Sequence, residues 1–181
     1  MCFMAAPIYT IGYGNRSIEN FIQLLATYHI QYLVDIRSFP YSRPHADFSK
    51  AALMLHLKKA SVQYVFMGDA LGGRPVDQSC YVDGKVDYTK VKDSSNYQKG
   101  IQRLQTAFQK QLTVALMCSE LRPQECHRSK LVGNTLQGMG IDVDHIDEMG
   151  NCKTQQEIEL LLTGGQLSLF EHPATDFSRK V

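Results

Sequence analysis

The segment Cys118-Ser119-Glu120-Leu121-Arg122-Pro123-Gln124-Glu125-Cys126-His127-Arg128-Ser129 carries the densest chemistry in this sequence. Two thiols, two carboxylates, an imidazole and two guanidinium groups stand within it. Cys126 falls where a helix is expected to begin, and the free amides and dipole of a helix start favour an anion or a thiolate. Cys126 is therefore a candidate nucleophile. Glu120 is a candidate general base or a holder of a sugar hydroxyl, and His127 stands beside them. Quieter roles compete. Cys118 closes an apolar run and reads as a small buried residue. The loop lacks the glycines with which a phosphate-binding cysteine loop wraps its ligand, and His127 can simply donate to a backbone carbonyl. Cys118, Cys126 and His127 do not follow the paired C-x-x-C spacing of a zinc site and no second pair exists, so neither a metal nor a cofactor is expected.

The arginines are the second source of chemistry. Of Arg16, Arg37, Arg43, Arg74, Arg103, Arg122, Arg128 and Arg179, all but Arg103 and Arg179 fall just after expected strands, whereas the lysines lie mostly on helices and in one long connection. A guanidinium is a rigid fork of donors that fits phosphate or carboxylate. Gathered at one edge, these groups make a local positive field on a chain whose net charge is only +1. The alternative for each arginine alone is a capped carbonyl or a neighbouring acid. Asp35 stands beside this group as an acid–base candidate. Gly12-Tyr13-Gly14 lacks the third glycine of a dinucleotide fingerprint, because Ser17 occupies that place; it reads as a tight turn that admits close backbone approach.

The elements that must position these residues alternate. Strands are expected at Ile8–Ile11, Tyr32–Ile36, Gln63–Phe66, Thr113–Met117 and Ile141–Ile146. Helices are expected after Ser17 as N-cap, around Leu53 to Ala60, along Ile101-Leu104-Phe108, along Leu131 to Met139, and over Gln155–Leu162. The stretch from about Gly68 to Ser95 is long for a connection inside a domain and carries a hairpin signal at Asp83-Gly84. This pattern predicts a single three-layer, Rossmann-like α/β domain over residues 1–163. Its sheet is mainly parallel, with about five strands and an irregular insertion near 68–95. Residues 164–181 form a tail. In such sheets ligands bind beyond the carboxyl ends of the strands, where the arginines cluster.

Composition narrows the class. Hydrophobic residues at 44% provide for a core, and a charged fraction of 20% without like-charge blocks excludes a disordered chain. No apolar run is long enough to span a bilayer, so no membrane partner is expected. Residues 1–7 lack the basic region and apolar run of a secretion signal. Five scattered cysteines predict reduced thiols and a cytoplasmic setting.

Four motifs in register resemble one family: Thr10-Ile11-Gly12-Tyr13-Gly14-Asn15-Arg16, then Val34-Asp35-Ile36-Arg37-Ser38-Phe39-Pro40 with Ser42-Arg43, then Leu71-Gly72-Gly73-Arg74, then Cys118-Ser119-Glu120 with Pro123 and Cys126-His127-Arg128-Ser129. They are similar, from about Ile8 to Ile146, to the bacterial family called domain of unknown function four-eight-eight. Tyr13-Gly14 stands where that family often has His-Ser. The resemblance implies a compact α/β fold with a polar site built from these motifs, and it implies no reaction. It adds weight to Asn15, Arg16, Asp35, Arg37, Arg43, Arg74, Glu120, Cys126, His127 and Arg128.

In the tail, Gln166-Leu167-Ser168-Leu169-Phe170 is similar to the peptide with which bacterial replication and repair proteins bind the DNA sliding clamp. Glycines before it and a proline after it favour an extended segment, with Gln166, Leu167, Leu169 and Phe170 as contacts. Packing of the same residues back onto the domain is the competing reading. Two functions stay open. One is an enzyme with a phosphate- or nucleotide-type anion site formed by Gly12, Asn15, Arg16, Arg37, Arg43, Arg74, Arg128 and Ser129, with Asp35, Glu120, Cys126 and His127 as catalytic candidates. The other is a nucleic-acid-associated or repair-linked module recruited to the clamp, with salt-sensitive binding.

Overall fold

The structure is a computed structural model that describes residues 6–162. The chain forms β1 (Ile8–Gly12), α1 (Ile18–Thr27), β2 (Tyr32–Asp35), α2 (Lys50–Lys59) and β3 (Gln63–Phe66). The short α3 (Gly68–Leu71), the hairpin β4 (Tyr81–Val82) and β5 (Lys85–Val86), and α4 (Tyr88–Asp93) lead to α5 (Ser95–Gln109). After β6 (Val114–Cys118) come a π-helical turn over Arg128–Gly133, α6 (Asn134–Gly138), β7 (Val143–Ile146), β8 (Cys152–Thr154) and α7 (Gln155–Leu162).

Alternation along β6 shows how the layers separate. Val114, Leu116 and Cys118 join a core with Ile101, Leu104, Leu131, Val132 and Leu136. Ala115 and Met117 join the opposite core with Phe21, Leu25, Leu53 and Leu57. Side chains on a strand point alternately to the two faces, so a strand apolar on both must be covered on both. α1 and α2 cover one face; α5, the π-helical turn and α6 cover the other. The expected three-layer fold with a mainly parallel sheet is what forms.

The sheet order is β3-β2-β6-β1-β7-β8, six strands where the sequence suggested about five. The extra strand is β8, which pairs antiparallel with β7. It is three residues long and half exposed, so it carries no apolar alternation to announce it. β6 lies between β2 and β1, pairing Val34 with Leu116 and Thr10 with Leu116, so the carboxyl ends of these three strands lie side by side. That juxtaposition sets three loops against one another.

Local signals acted as expected at several points. The Ser17 side chain accepts from the Asn20 amide at 3.2 Å and starts α1. Asp83 and Gly84 form the hairpin turn, both with positive φ. The 68–95 stretch is less irregular than expected. Asp87 caps α4 by accepting from the amides of Thr89 and Lys90, and α3 packs on α5. One helix departs from expectation: the run from Arg128 to Gly133 is π-helical before α6 begins, and Met139, which caps α6, is exposed and not on the apolar stripe. No described helix is long and apolar enough to cross a membrane.

Candidate functional site

A cleft of about 360 Å³ opens beyond the carboxyl ends of β2 and β6. Its walls come from the loop after β1 (Tyr13), the loop after β2 (Arg37, Ser38, Phe39, Tyr41), the turn after α3 (Gly73, Arg74), the start of α4 (Tyr88) and the loop after β6 (Ser119, Glu120, Glu125, Cys126, His127). Phe39 and Tyr41 stand at it with most of their surface exposed.

Arg37 is the buried cation of this cleft. Its Nε donates to Asp35 Oδ1 at 2.9 Å and its Nη2 to Asp35 Oδ2 at 2.6 Å, a bidentate pair sealed from water. Asp35 accepts twice more, from the Arg37 amide at 3.1 Å and from the Tyr64 hydroxyl at 2.8 Å. Burial works against the Arg37 charge, but the bonds and charge of Asp35 outweigh it and hold its pKa above the ordinary value. Burial, reinforced by the Asp35 charge, pushes the Tyr64 hydroxyl well up, so it remains a donor. The Arg37 guanidinium carbon lies 5.3 Å from the centre of the Tyr13 ring, and that ring stacks on Phe48 at 4.4 Å. Arg37 is thus fixed on three sides, yet its buried Nη1 makes no hydrogen bond. Arg74 is exposed at the same cleft, its amide donating to Ser38 Oγ at 3.0 Å.

The thiols form the other wall. Cys126 Sγ lies 2.9 Å from Cys118 Sγ, 3.1 Å from Glu120 Oε2 and 3.5 Å from His127 Nδ1. His127 Nε2 is 3.1 Å from the Ile36 carbonyl. A carbonyl can only accept, so Nε2 carries the proton and Nδ1 of the neutral ring is an acceptor facing Cys126 Sγ. Burial holds the His127 pKa below its usual value, which keeps the ring neutral. A Cβ on Gly73 would come within 3.0 Å of this imidazole, so the glycine lets the turn close over the ring.

Arg128 sits beneath this wall and is fully buried. Its Nη1 donates to the Glu120 carbonyl at 3.1 Å and its Nη2 to the Leu121 carbonyl at 2.9 Å, while Nη1 also lies 3.4 Å from Cys118 Sγ. Burial opposes a thiolate at Cys118, but the Cys126 S–H and the Arg128 guanidinium outweigh it and hold the Cys118 pKa down. Burial and the adjacent Cys118 sulfur push the Cys126 thiol well up. Glu120 stays below the usual carboxylate range because bonds from Cys126, its own backbone and Cys118 exceed its burial.

The cleft therefore gathers Arg37, Arg74, Glu120, Cys126 and His127 from the residues singled out in the sequence. The others lie elsewhere. Arg16 bridges the loops after β1 and β7, donating from Nε to the Gly12 carbonyl at 3.1 Å, from Nη1 to Asn20 at 3.3 Å and from Nη2 to the Asp147 carbonyl. Asn15 and Arg43 are exposed and do not line the cleft. Asp35 is behind the cleft wall, committed to Arg37 and Tyr64. Gly12 approaches backbone as expected, but the backbone is this chain's own: a Cβ there would fall 1.8 Å from the Glu120 carbonyl oxygen and 2.4 Å from Arg128 Nη1. Ser129 is buried, and its carbonyl accepts from Gln155 Nε2 at 3.3 Å. Gln166, Leu167, Leu169 and Phe170 lie outside the described residues.

Sequence reasoning missed Tyr13, Ser38, Phe39, Tyr41, Tyr88 and Glu125 as cleft residues. Most of these stand in the same strand-end loops as the arginines, so position alone could have found them. Tyr88 had a local signal in the Asp87 cap. Tyr64, inside β3, had none.

A family model described as Domain of unknown function DUF488 matches residues 17–134, and the chain belongs to that family. No curated protein and no solved structure matches the chain.

Proposed function

We propose that the protein is an enzyme that holds a phosphate-bearing, nucleotide-type ligand in the cleft between the β2 and β6 loops. The observation that carries this reading is Arg37: a buried guanidinium, locked by Asp35 and Tyr13, with Nη1 left without a partner. A buried donor without an acceptor costs about 1–3 kcal/mol, and a ligand oxygen placed there recovers it. Arg74 adds a second cation at the mouth, and Phe39 and Tyr41 offer exposed ring faces on which a base can stack. Glu120 lines the same cleft as the candidate acid–base group, beside Cys126. Asp35 then acts as the residue that positions Arg37.

The test is a thermal-shift titration of the full chain with inorganic phosphate, nucleoside mono- and triphosphates and short single-stranded DNA. Binding to the native state raises apparent stability by mass action. A nucleotide should stabilise the wild type and Arg43→Ala alike, and the shift should disappear in Arg74→Ala, whose side chain is exposed and leaves the core untouched. A shift that persists in Arg74→Ala, or stabilisation by DNA alone with strong salt dependence, overturns the reading.

A further inference from the structure

The spacing of Cys118, Cys126 and His127 gave no reason to expect a metal, because the donors are not paired along the sequence. Folding brings the two sulfurs together and adds a carboxylate. The ligating atoms of Cys118, Glu120 and Cys126 all lie within 4.8 Å of one another, a group that does not include His127. We propose that Cys118 Sγ, Cys126 Sγ and a carboxylate oxygen of Glu120 form a three-ligand binding site for one thiophilic divalent cation of the zinc type, with the fourth position open to the cleft. The site shares Glu120 and Cys126 with the cleft but uses neither Arg37 nor Arg74, so its test is separate from that of the anion reading.

Three features carry it. The donor set is chemically apt: two sulfurs and one carboxylate oxygen are ligands zinc takes, and three protein ligands with an open fourth position are the arrangement of an accessible zinc site. The spacings suit a tetrahedron. Bonds of about 2.3 Å to sulfur and about 2.1 Å to oxygen put those two atoms about 3.6 Å apart at its edge, near the 3.1 Å found between Cys126 Sγ and Glu120 Oε2. The two sulfurs must part from 2.9 Å to about 3.8 Å, a side-chain torsion adjustment. Finally, the charges close. Two thiolates and a carboxylate carry three negative charges, and a divalent cation with the buried Arg128 guanidinium beside Cys118 balances them. On binding, the two thiol protons pass to solvent and two metal–sulfur bonds replace the S–H bonds, with no change of oxidation state.

Cobalt(II) and cadmium(II) report such a site by sulfur-to-metal charge-transfer absorption. The reduced full chain should take up one equivalent of either, with zinc displacing cobalt and the band reaching its plateau at one cation per chain. Cys152→Ser, on the far edge strand, should leave the band unchanged. Cys126→Ser should abolish it, and Glu120→Gln should weaken uptake at least tenfold. Zinc should also protect Cys118 and Cys126 of the wild type from alkylation, a readout that does not depend on any variant folding. No charge-transfer band in the reduced protein overturns the proposal, and so does a band that survives Cys126→Ser. Rapid oxidation of Cys118 and Cys126 to a disulfide, with no metal uptake after reduction, overturns it in favour of a redox dithiol.

Discussion

At the scale of single residues, the site is organised by two buried arginines with opposite assignments. Arg37 gives two donor nitrogens to Asp35, and Arg128 gives its two terminal nitrogens to two carbonyls and a sulfur; each keeps one buried nitrogen without a hydrogen bond, Nη1 of Arg37 and Nε of Arg128. Their positions after strands were legible in the sequence, but their orientation was not, because it depends on which carbonyls and acids arrive from distant segments. The same holds for Cys118 and Cys126, whose contact is set by the loop between them. Asp35→Asn should cost about 3 kcal/mol in urea unfolding, because it leaves the Arg37 charge buried without its counter-ion. Tyr64→Phe removes only one donor to the same carboxylate and should cost about 1 kcal/mol. Equal losses from the two changes would mean that Asp35 and Arg37 do not act as a buried pair.

At the scale of elements, the end of β1 is pinned under the loop that follows β6. The Tyr13 amide donates to the Cys118 carbonyl at 3.2 Å and the Gly14 amide to the Ser119 carbonyl at 2.9 Å. Gly12 has room for no Cβ between the Glu120 carbonyl and Arg128. Gly12→Ala should therefore cost about 2–3 kcal/mol, read as a lowered urea midpoint with unchanged slope, by forcing backbone apart in a packed region. Gly138→Ala, where a Cβ meets nothing within 4 Å, is the matched control and should change the midpoint little. Five parallel strands and the Ser17 cap could be read from period and capping chemistry. β8 and the π-helical turn could not. The edge strand is too short to show alternation, and the helical turn shares its apolar spacing with an ordinary helix.

At the scale of the whole molecule, one buried histidine links elements that are far apart in the chain. His145 Nε2 donates to Gln155 Oε1 at 2.6 Å, and its Nδ1 accepts from the Thr10 hydroxyl at 2.7 Å. Gln155 Nε2 in turn donates to the Ser129 carbonyl and to Glu159 at 2.8 Å. β1, β7, α7 and the π-helical turn thus meet through one imidazole. Burial holds its pKa down to about 4, against the bond to Gln155 and aided by the charge of Arg128. In the unfolded chain it titrates near its ordinary value, so the unfolded state binds the extra proton between about pH 6.5 and pH 4. The contribution is full above that window and is lost as pH falls through it, up to roughly 3 kcal/mol. Urea unfolding at pH 7 and pH 4.5 should show a smaller drop in His145→Gln than in the wild type, although the variant is less stable at pH 7. An identical drop in both proteins would exclude His145 as a source of the acid sensitivity.

The place of β1 inside the sheet has a consequence for synthesis on the ribosome. Tyr9 aligns with Ala115 on one side and Asp144 on the other, so an early-made strand finds its neighbours only when late segments emerge. Until then its apolar residues Ile8 and Ile11 and its unpaired amides travel uncovered, the condition in which nascent chains recruit holding factors or stick to one another. The cleft loops share that delay. Chains halted before β7 should accordingly be digested readily by protease at the β1 segment, and protection there should appear only as β7 clears the exit tunnel.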